Sequence, residues 1–139
     1  KMHNASTMAG MAFGNAFLGV CHAMAHQVGA EFGIPHGRTN AILLPHTIRY
    51  NGVKQGKLSV WPKYNHYHAD ERYYELALAI GLKPKTVEEG VKMFADACYE
   101  LGKSVGIEMN FKGQGIKEKD FKFRLNQYKM DFWGYRTYC

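Results

Sequence analysis

The chain has 139 residues, which is enough for one hydrophobic core but not for two domains with separate cores. Its formal net charge is +6, but the basic residues between Lys54 and Lys129 are interleaved with acidic ones. That mixture is typical of a solvated surface and argues against the one-sided basic face with which proteins bind nucleic acid. The three cysteines are too few and too scattered for a disulfide framework, so we expect a reducing, cytoplasmic setting.

The first third of the chain is nearly free of charge. Residues 2–30 contain no Asp, Glu, Lys or Arg, and residues 31–48 add only Glu31 and Arg38. A water-facing helix normally carries charge on one side, so this region is expected to be buried nearly all round. Polar side chains interrupt it, and a membrane span of about 20 apolar residues is therefore not expected. Because a domain of this size has little interior, these helices are expected to pack against further protein.

Hydrophobic spacing and breaker residues predict an all-α chain. No segment shows the alternation of apolar and polar residues that is typical of a half-buried strand. The breakers Gly33-Ile34-Pro35 and Asn51-Gly52 are expected to end the second and third helices. In chain order, helices are predicted over residues 2–18, 20–31, 36–50, 70–80, 86–105 and 117–130, with loops over residues 53–68 and 107–115.

Local signals refine these helices. Gly10 and Gly14 each weaken the first helix by about 1 kcal/mol relative to alanine, which suggests close approach of another helix or of a ligand. Asp70 is predicted to cap the fourth helix, and Thr86 with Glu89 forms a capping-box pattern at the start of the fifth. In the fifth helix, the apolar residues at helical spacing are expected to face the core: Val87, Val91, Phe94, Cys98 and Leu101.

Three histidines lie in the charge-poor region. His22 and His26 are four residues apart, which on a helix places both rings on one face. His36 follows His26 by ten residues, beyond a turn that could fold it back towards the other two. A single buried histidine is usually a hydrogen-bonded core residue. Three of them without an acid nearby in the sequence favour a metal or catalytic site, because imidazole is the commonest metal ligand near neutral pH.

The sequence narrows the kind of metal site. The helix motif of zinc proteases has glutamate directly after its first histidine, but this chain has Ala23 there. The longer form of the motif would place a third metal ligand at position 32, which is Phe32. Both forms of the zinc-protease motif are therefore excluded. A protein-bound metal usually has roughly four to six ligands, and these histidines supply two or three of them. Further carboxylate or histidine ligands must therefore come from other residues. His66, His68 and Asp70 form an alternative set in a polar loop.

Two stretches resemble the signature of the iron-containing alcohol dehydrogenases. Residues 14–29 read GNAFLGVCHAMAHQVG, and residues 34–45 read IPHGRTNAILLP. The likeness is greatest to the alcohol dehydrogenase part of bifunctional aldehyde–alcohol dehydrogenases. The resemblance implies a helical C-terminal metal-binding domain of the dehydroquinate-synthase-like fold over residues 1–130, followed by a divergent tail over residues 131–139.

The resemblance also implies roles for the histidines. In this family one aspartate and three histidines hold the metal, and His22 and His36 match two of those histidines. The aspartate and the other histidine belong to a helix upstream of Lys1. His26 matches the histidine near the nicotinamide, which serves proton relay or cofactor positioning. The implied metal is Fe(II), although similar histidine sets also take Zn(II). The implied NAD(H) is bound mainly by an upstream nucleotide-binding domain.

The implied reaction is the reduction of a small, acetaldehyde-like aldehyde to a primary alcohol, in a full-length protein that forms homo-oligomers. Because half of the metal ligands and the nucleotide-binding domain lie outside the chain, the isolated chain is expected to be inactive. The sequence leaves two alternatives open. One is a non-catalytic helical binding or assembly module, and the other is a stand-alone metal-binding protein that uses His22, His26 and His36.

Overall fold

The computed structural model describes residues 1–53, 68–117 and 119–120. Within these ranges the chain is helical and contains no β-strand, which confirms the all-α prediction. The predicted tail over residues 131–139, most of the helix over 117–130 and most of the loop over 53–68 lie outside the described residues. The described elements are α1 (Met2–Ala16), α2 (Val20–Phe32), α3 (His36–Asn51), α4 (Ala69–Ala79), α5 (Val87–Ser104) and a 3-10 turn (Lys112–Gln114).

The third helix connects α2 with α4 and α5. α2 and α5 both pack against α3, and α4 packs mainly against α5. In the part of the chain that the structure describes, buried side chains form two small cores. The first is Cys21, Ala25 and Leu43 with Phe111, and the second is Ile48, Val91 and Ala95 with Tyr73, Phe94 and Cys98. Because α3 contributes to both cores, it fixes the position of α2 relative to the α4–α5 pair.

The start of α5 forms the threonine half of the predicted capping box, while the Glu89 carboxylate reaches the amide of Lys85 instead of that of Thr86. The backbone amide of Glu89 donates to Thr86 Oγ1 at 3.1 Å, and the Glu89 carboxylate accepts from the backbone amide of Lys85 at 2.6 Å. These bonds satisfy amides at the start of the helix that have no partner within it. The two local signals, threonine and glutamate at this spacing, are therefore enough to fix where α5 begins.

Two predictions about the later helices are wrong. α4 begins one residue earlier than expected, so Asp70 lies buried in its first turn, makes no capping bond, and leaves Oδ1 without a hydrogen-bond partner. Leu101 is 65% exposed instead of facing the core. The neighbouring Gly102 takes the inward position, where it packs against Met109 and leaves no room for a larger side chain.

The first helix has no buried residue, contrary to the burial that its lack of charge predicts. Among the described residues nothing packs against α1 closely enough to bury a side chain, and a Cβ atom at Gly14 would meet nothing within 4 Å. The large apolar side chains exposed on and just after α1 are Met2, Met8, Met11, Phe13, Phe17 and Leu18. In the described part of the chain no single helix is long and apolar enough to cross a membrane. Only α1 and α2 together, bent by 108°, reach that length and composition.

Candidate metal centre

The second helix presents two histidines one turn apart. The ring centroids of His22 and His26 are 6.5 Å apart, and the ring planes are inclined by 57°. The face of α2 that carries Cys21, Ala25 and Gly29 is buried where the helix packs against α3. The two histidines therefore point away from that core, with His22 half-buried and His26 exposed.

A tight turn then folds α3 back onto α2. Gly33 adopts the left-handed conformation, with φ 64° and ψ 25°, which glycine reaches without a steric penalty. The backbone amide of Ile34 donates to the Gly29 carbonyl at 3.0 Å, and the Ile34 side chain is buried. Pro35 precedes α3, and His36 is the first residue of that helix. The turn thus brings His36 beside the histidines of α2.

The three predicted histidines form one cluster. The His36 ring centroid lies 5.4 Å from that of His22 and 4.8 Å from that of His26. Since a metal–nitrogen bond is about 2 Å long, two imidazoles on one ion stand roughly 5 Å apart. The separations of His22 and of His26 from His36 both fit such a pair, so the choice of His22 and His36 as ligands rests on the family resemblance. Neutral imidazole also suits iron and zinc, so the donor chemistry fits the implied metal.

The described residues do not complete a metal site. Within residues 1–53, 68–117 and 119–120, no group of three or more His, Cys, Asp or Glu side chains is placed to hold a metal ion. Of the alternative set, His66 lies outside these ranges, and Nδ1 of His68 lies 3.0 Å from Glu71 Oε2. Asp70 lines a separate cavity of about 280 Å³ beside α3 and α5, and none of the three clustered histidines lines it.

The close approach of α2 to α3 beside the histidine cluster occurs at Gly29. The glycines that the sequence predicts to allow a close approach are Gly10 and Gly14 in α1. A Cβ atom on Gly29 would lie 3.1 Å from the Ile34 carbonyl oxygen and 3.2 Å from Thr39 Oγ1. Thr39 is fully buried, and its hydroxyl donates to the Pro35 carbonyl at 3.2 Å. The geometry of the turn that positions His36 therefore depends on the absence of a side chain at Gly29.

Sequence reasoning missed Asn40, which contacts the His36 ring. Its Nδ2 lies 2.9 Å from Nε2 of His36 and donates to the His36 backbone carbonyl at 3.1 Å. Its Oδ1 accepts from the Cys21 thiol at 3.5 Å. Burial raises the pKa of that thiol above its usual value of 9.0, so it stays protonated and remains a donor near neutral pH. The sequence did offer one signal for this contact: Asn40 follows His36 by four residues, which places both side chains on the same face of a helix.

The chain matches a known protein family over most of its length. Residues 1–127 match the family described as Fe-containing alcohol dehydrogenase family, C-terminal. The chain therefore belongs to the Fe-containing alcohol dehydrogenase family, and it corresponds to the C-terminal part of that family. This confirms the resemblance that residues 14–29 and 34–45 indicate.

Individual relatives point to the same group of enzymes. The chain is 57% identical over all 139 residues to an aldehyde-alcohol dehydrogenase of Streptococcus pneumoniae serotype 4, of which it covers 16%. It is 60% identical over 118 residues to aldehyde-alcohol dehydrogenase 2 of Entamoeba histolytica, covering 85% of this chain and 14% of that protein. It is 42% identical over 126 residues to the NADPH-dependent butanol dehydrogenase of Clostridium saccharobutylicum. That match covers 91% of this chain and 29% of the butanol dehydrogenase. The chain thus spans between about one-seventh and three-tenths of these relatives.

Proposed function

We propose that this chain supplies part of the catalytic centre of an iron-dependent alcohol dehydrogenase that reduces acetaldehyde-like aldehydes to primary alcohols with NADH. The observation that carries the proposal is the convergence of His22, His26 and His36 at the α2–α3 turn of a chain from the Fe-containing alcohol dehydrogenase family. Because the described residues do not complete a metal site, the remaining ligands and the nucleotide-binding domain are proposed to lie in other parts of a larger enzyme.

His22 and His36 are the proposed ligands from this chain, with Fe(II) as the metal and Zn(II) as the alternative that the same donors accept. A divalent metal, when bound there, supplies Lewis acidity that stabilises negative charge on a carbonyl oxygen. The two histidines lie on different helices, and the packing of α2 against α3 fixes the distance between their rings. Ligands held on rigid elements in this way lose little freedom when they bind.

His26 is the proposed proton donor. Reduction of an aldehyde transfers a hydride from NADH to the carbonyl carbon, and the oxygen must then gain one proton to give the alcohol. The His26 ring is exposed and lies 4.8 Å from the His36 ring, so it can exchange protons with water while it stands beside the proposed ligand pair. Imidazole both donates and accepts protons near neutral pH, which suits this role.

The apolar surface of α1 supports a place inside a larger enzyme. Met2 is 82% exposed and Phe17 is 85% exposed, although neither side chain has a polar group that gains from contact with water. A row of such side chains on a helix without charge is typical of a surface that other protein covers. We propose that the remainder of the same enzyme covers it.

A chimera tests the proposed function. The 139 residues replace the equivalent segment of the S. pneumoniae relative, which the chain matches over its whole length. Acetaldehyde reduction is then followed by nucleotide absorbance with NADH, and with NADPH because one relative is named as NADPH-dependent. The aldehyde dehydrogenase activity in the name of the S. pneumoniae relative serves as the folding control, because the replaced segment matches the alcohol dehydrogenase family.

We expect the chimera to reduce acetaldehyde with NADH and the isolated chain to show no such activity. A chimera that keeps the aldehyde dehydrogenase activity but does not reduce aldehydes to alcohols would contradict the proposal. Aldehyde reduction by the isolated chain would contradict the part of the proposal that places the other ligands and the nucleotide site elsewhere.

A further inference from the structure

Asn40 makes three contacts that together determine which way its amide group points. Nδ2 donates to the His36 carbonyl oxygen at 3.1 Å, and Oδ1 accepts from the Cys21 thiol at 3.5 Å. Reversing the amide would place Oδ1 against the His36 carbonyl oxygen, and the two acceptors would repel each other. The orientation with Nδ2 towards His36 is therefore the favoured one.

This orientation determines the tautomer of His36. Nδ2 lies 2.9 Å from His36 Nε2, and an amide nitrogen can only donate. Nε2 must then accept with its lone pair, and the ring proton of neutral His36 lies on Nδ1. The hydrogen bond at one ring nitrogen thus decides which nitrogen carries the proton, as is general for histidine.

We propose that Asn40 is a positioning residue that prepares His36 for metal binding, by orienting the ring and keeping the Nε2 lone pair free of a proton. The inference rests on the proposed function, since it assumes that His36 is a metal ligand. A metal ion would replace the weak amide donor at Nε2, and no proton would have to leave that nitrogen. Without Asn40, the ring can rotate and can carry its proton on Nε2, and both changes oppose binding through that atom.

The same side chain also connects the two helices that carry the proposed ligands. Cys21, which donates to Asn40 Oδ1, directly precedes His22 and is buried in the core between α2 and α3. Asn40 therefore contacts the ring of one proposed ligand and the residue next to the other. Its loss is expected to affect the mutual placement of His22 and His36 in addition to the His36 tautomer.

The test compares Asn40→Leu with Thr39→Val in the chimera described above. Leucine is similar in size to asparagine but cannot donate to Nε2. Thr39→Val is the matched structural control, because it removes only the bond from the adjacent buried hydroxyl to the Pro35 carbonyl. The readouts are the Zn(II) dissociation constant, from competition with a chelator, and the absorption spectrum of the Co(II)-substituted protein, which reports ligand geometry.

We expect Asn40→Leu to raise the Zn(II) dissociation constant and to shift the Co(II) spectrum, because the His36 ring loses the side chain that orients it. Thr39→Val is expected to lower the thermal midpoint and to change both metal readouts by less than Asn40→Leu does. Equal metal binding by wild type and Asn40→Leu would overturn the inference alone, and so would equal weakening by both variants. A folded wild-type chimera that binds no metal would overturn the proposed function together with the inference.

Discussion

The imidazole rings of His26 and His36 lie 4.8 Å apart and nearly perpendicular, at 88°, although ten residues separate them in the chain. The left-handed Gly33 and the buried Ile34 produce this contact by reversing the chain between α2 and α3. His22 joins the pair from one turn earlier on α2. The three histidines that the family resemblance indicates therefore lie together on α2 and α3, on either side of the turn between these helices.

His26→Ala is expected to separate proton transfer from metal binding. The variant should keep its metal, because His26 is not one of the two proposed ligands, while kcat for aldehyde reduction falls by about a hundredfold to ten-thousandfold. Steady-state kinetics on the chimera measure this, and added imidazole should restore part of the rate because the position is exposed. An unchanged kcat would show that His26 has no part in proton transfer.

Gly90→Ala is expected to destabilise the packing of α4 against α5. A Cβ atom there would lie 2.6 Å from Cδ2 of Tyr74 and 3.0 Å from the Tyr74 Cα atom, so the two helices must separate. We expect the free energy of unfolding to fall by about 1–3 kcal/mol, as measured by urea denaturation of the chain. Gly14→Ala is the control, since its Cβ meets nothing within 4 Å and should be neutral or stabilising by up to about 1 kcal/mol. Equal effects of both substitutions would contradict this packing.

Cys98 is expected to react slowly with alkylating reagents. Burial raises the pKa of its thiol above the usual value of 9.0, so the thiolate is rarer in the folded chain than in the unfolded one. The folded state then loses stability as the pH rises above about 9, because the unfolded thiol ionises first. Peptide mass spectrometry after iodoacetamide treatment should show slower modification of Cys98 than of N-acetylcysteine, and Cys98→Ser should lessen the loss of stability at high pH. Equal alkylation rates at pH 9 would contradict the expectation.

The fold was largely predictable because its boundaries rest on local signals. α2 and α3 were expected over residues 20–31 and 36–50 and are found at Val20–Phe32 and His36–Asn51, because the Gly33-Ile34-Pro35 and Asn51-Gly52 breakers stand at their ends. The burial of individual side chains depends on what packs against them. For that reason Leu101 was misplaced, and the charge-poor α1 was expected to be covered but has no buried residue.

The histidine cluster was predictable from spacing, but its supporting contacts were not. A separation of four residues places His22 and His26 on one helix face, and the turn motif suggested the return of His36. The role of Asn40 depends on which way its amide points, and that follows only from the positions of the Cys21 thiol and the His36 carbonyl. Which of the histidines bind a metal stays a prediction from the resemblance.

The central claim is that His22 and His36, each on its own helix, hold one metal ion. Elemental analysis of the purified chimera tests it most directly, with His22→Ala, His36→Ala and His46→Ala compared with wild type. His46 is exposed on α3 and lies ten residues beyond His36, so it is the matched control for a histidine on the same helix. We predict that wild type and His46→Ala carry iron, and that His22→Ala and His36→Ala lose it while they stay folded. Retention of iron by both His22→Ala and His36→Ala would contradict the assignment of these residues as ligands.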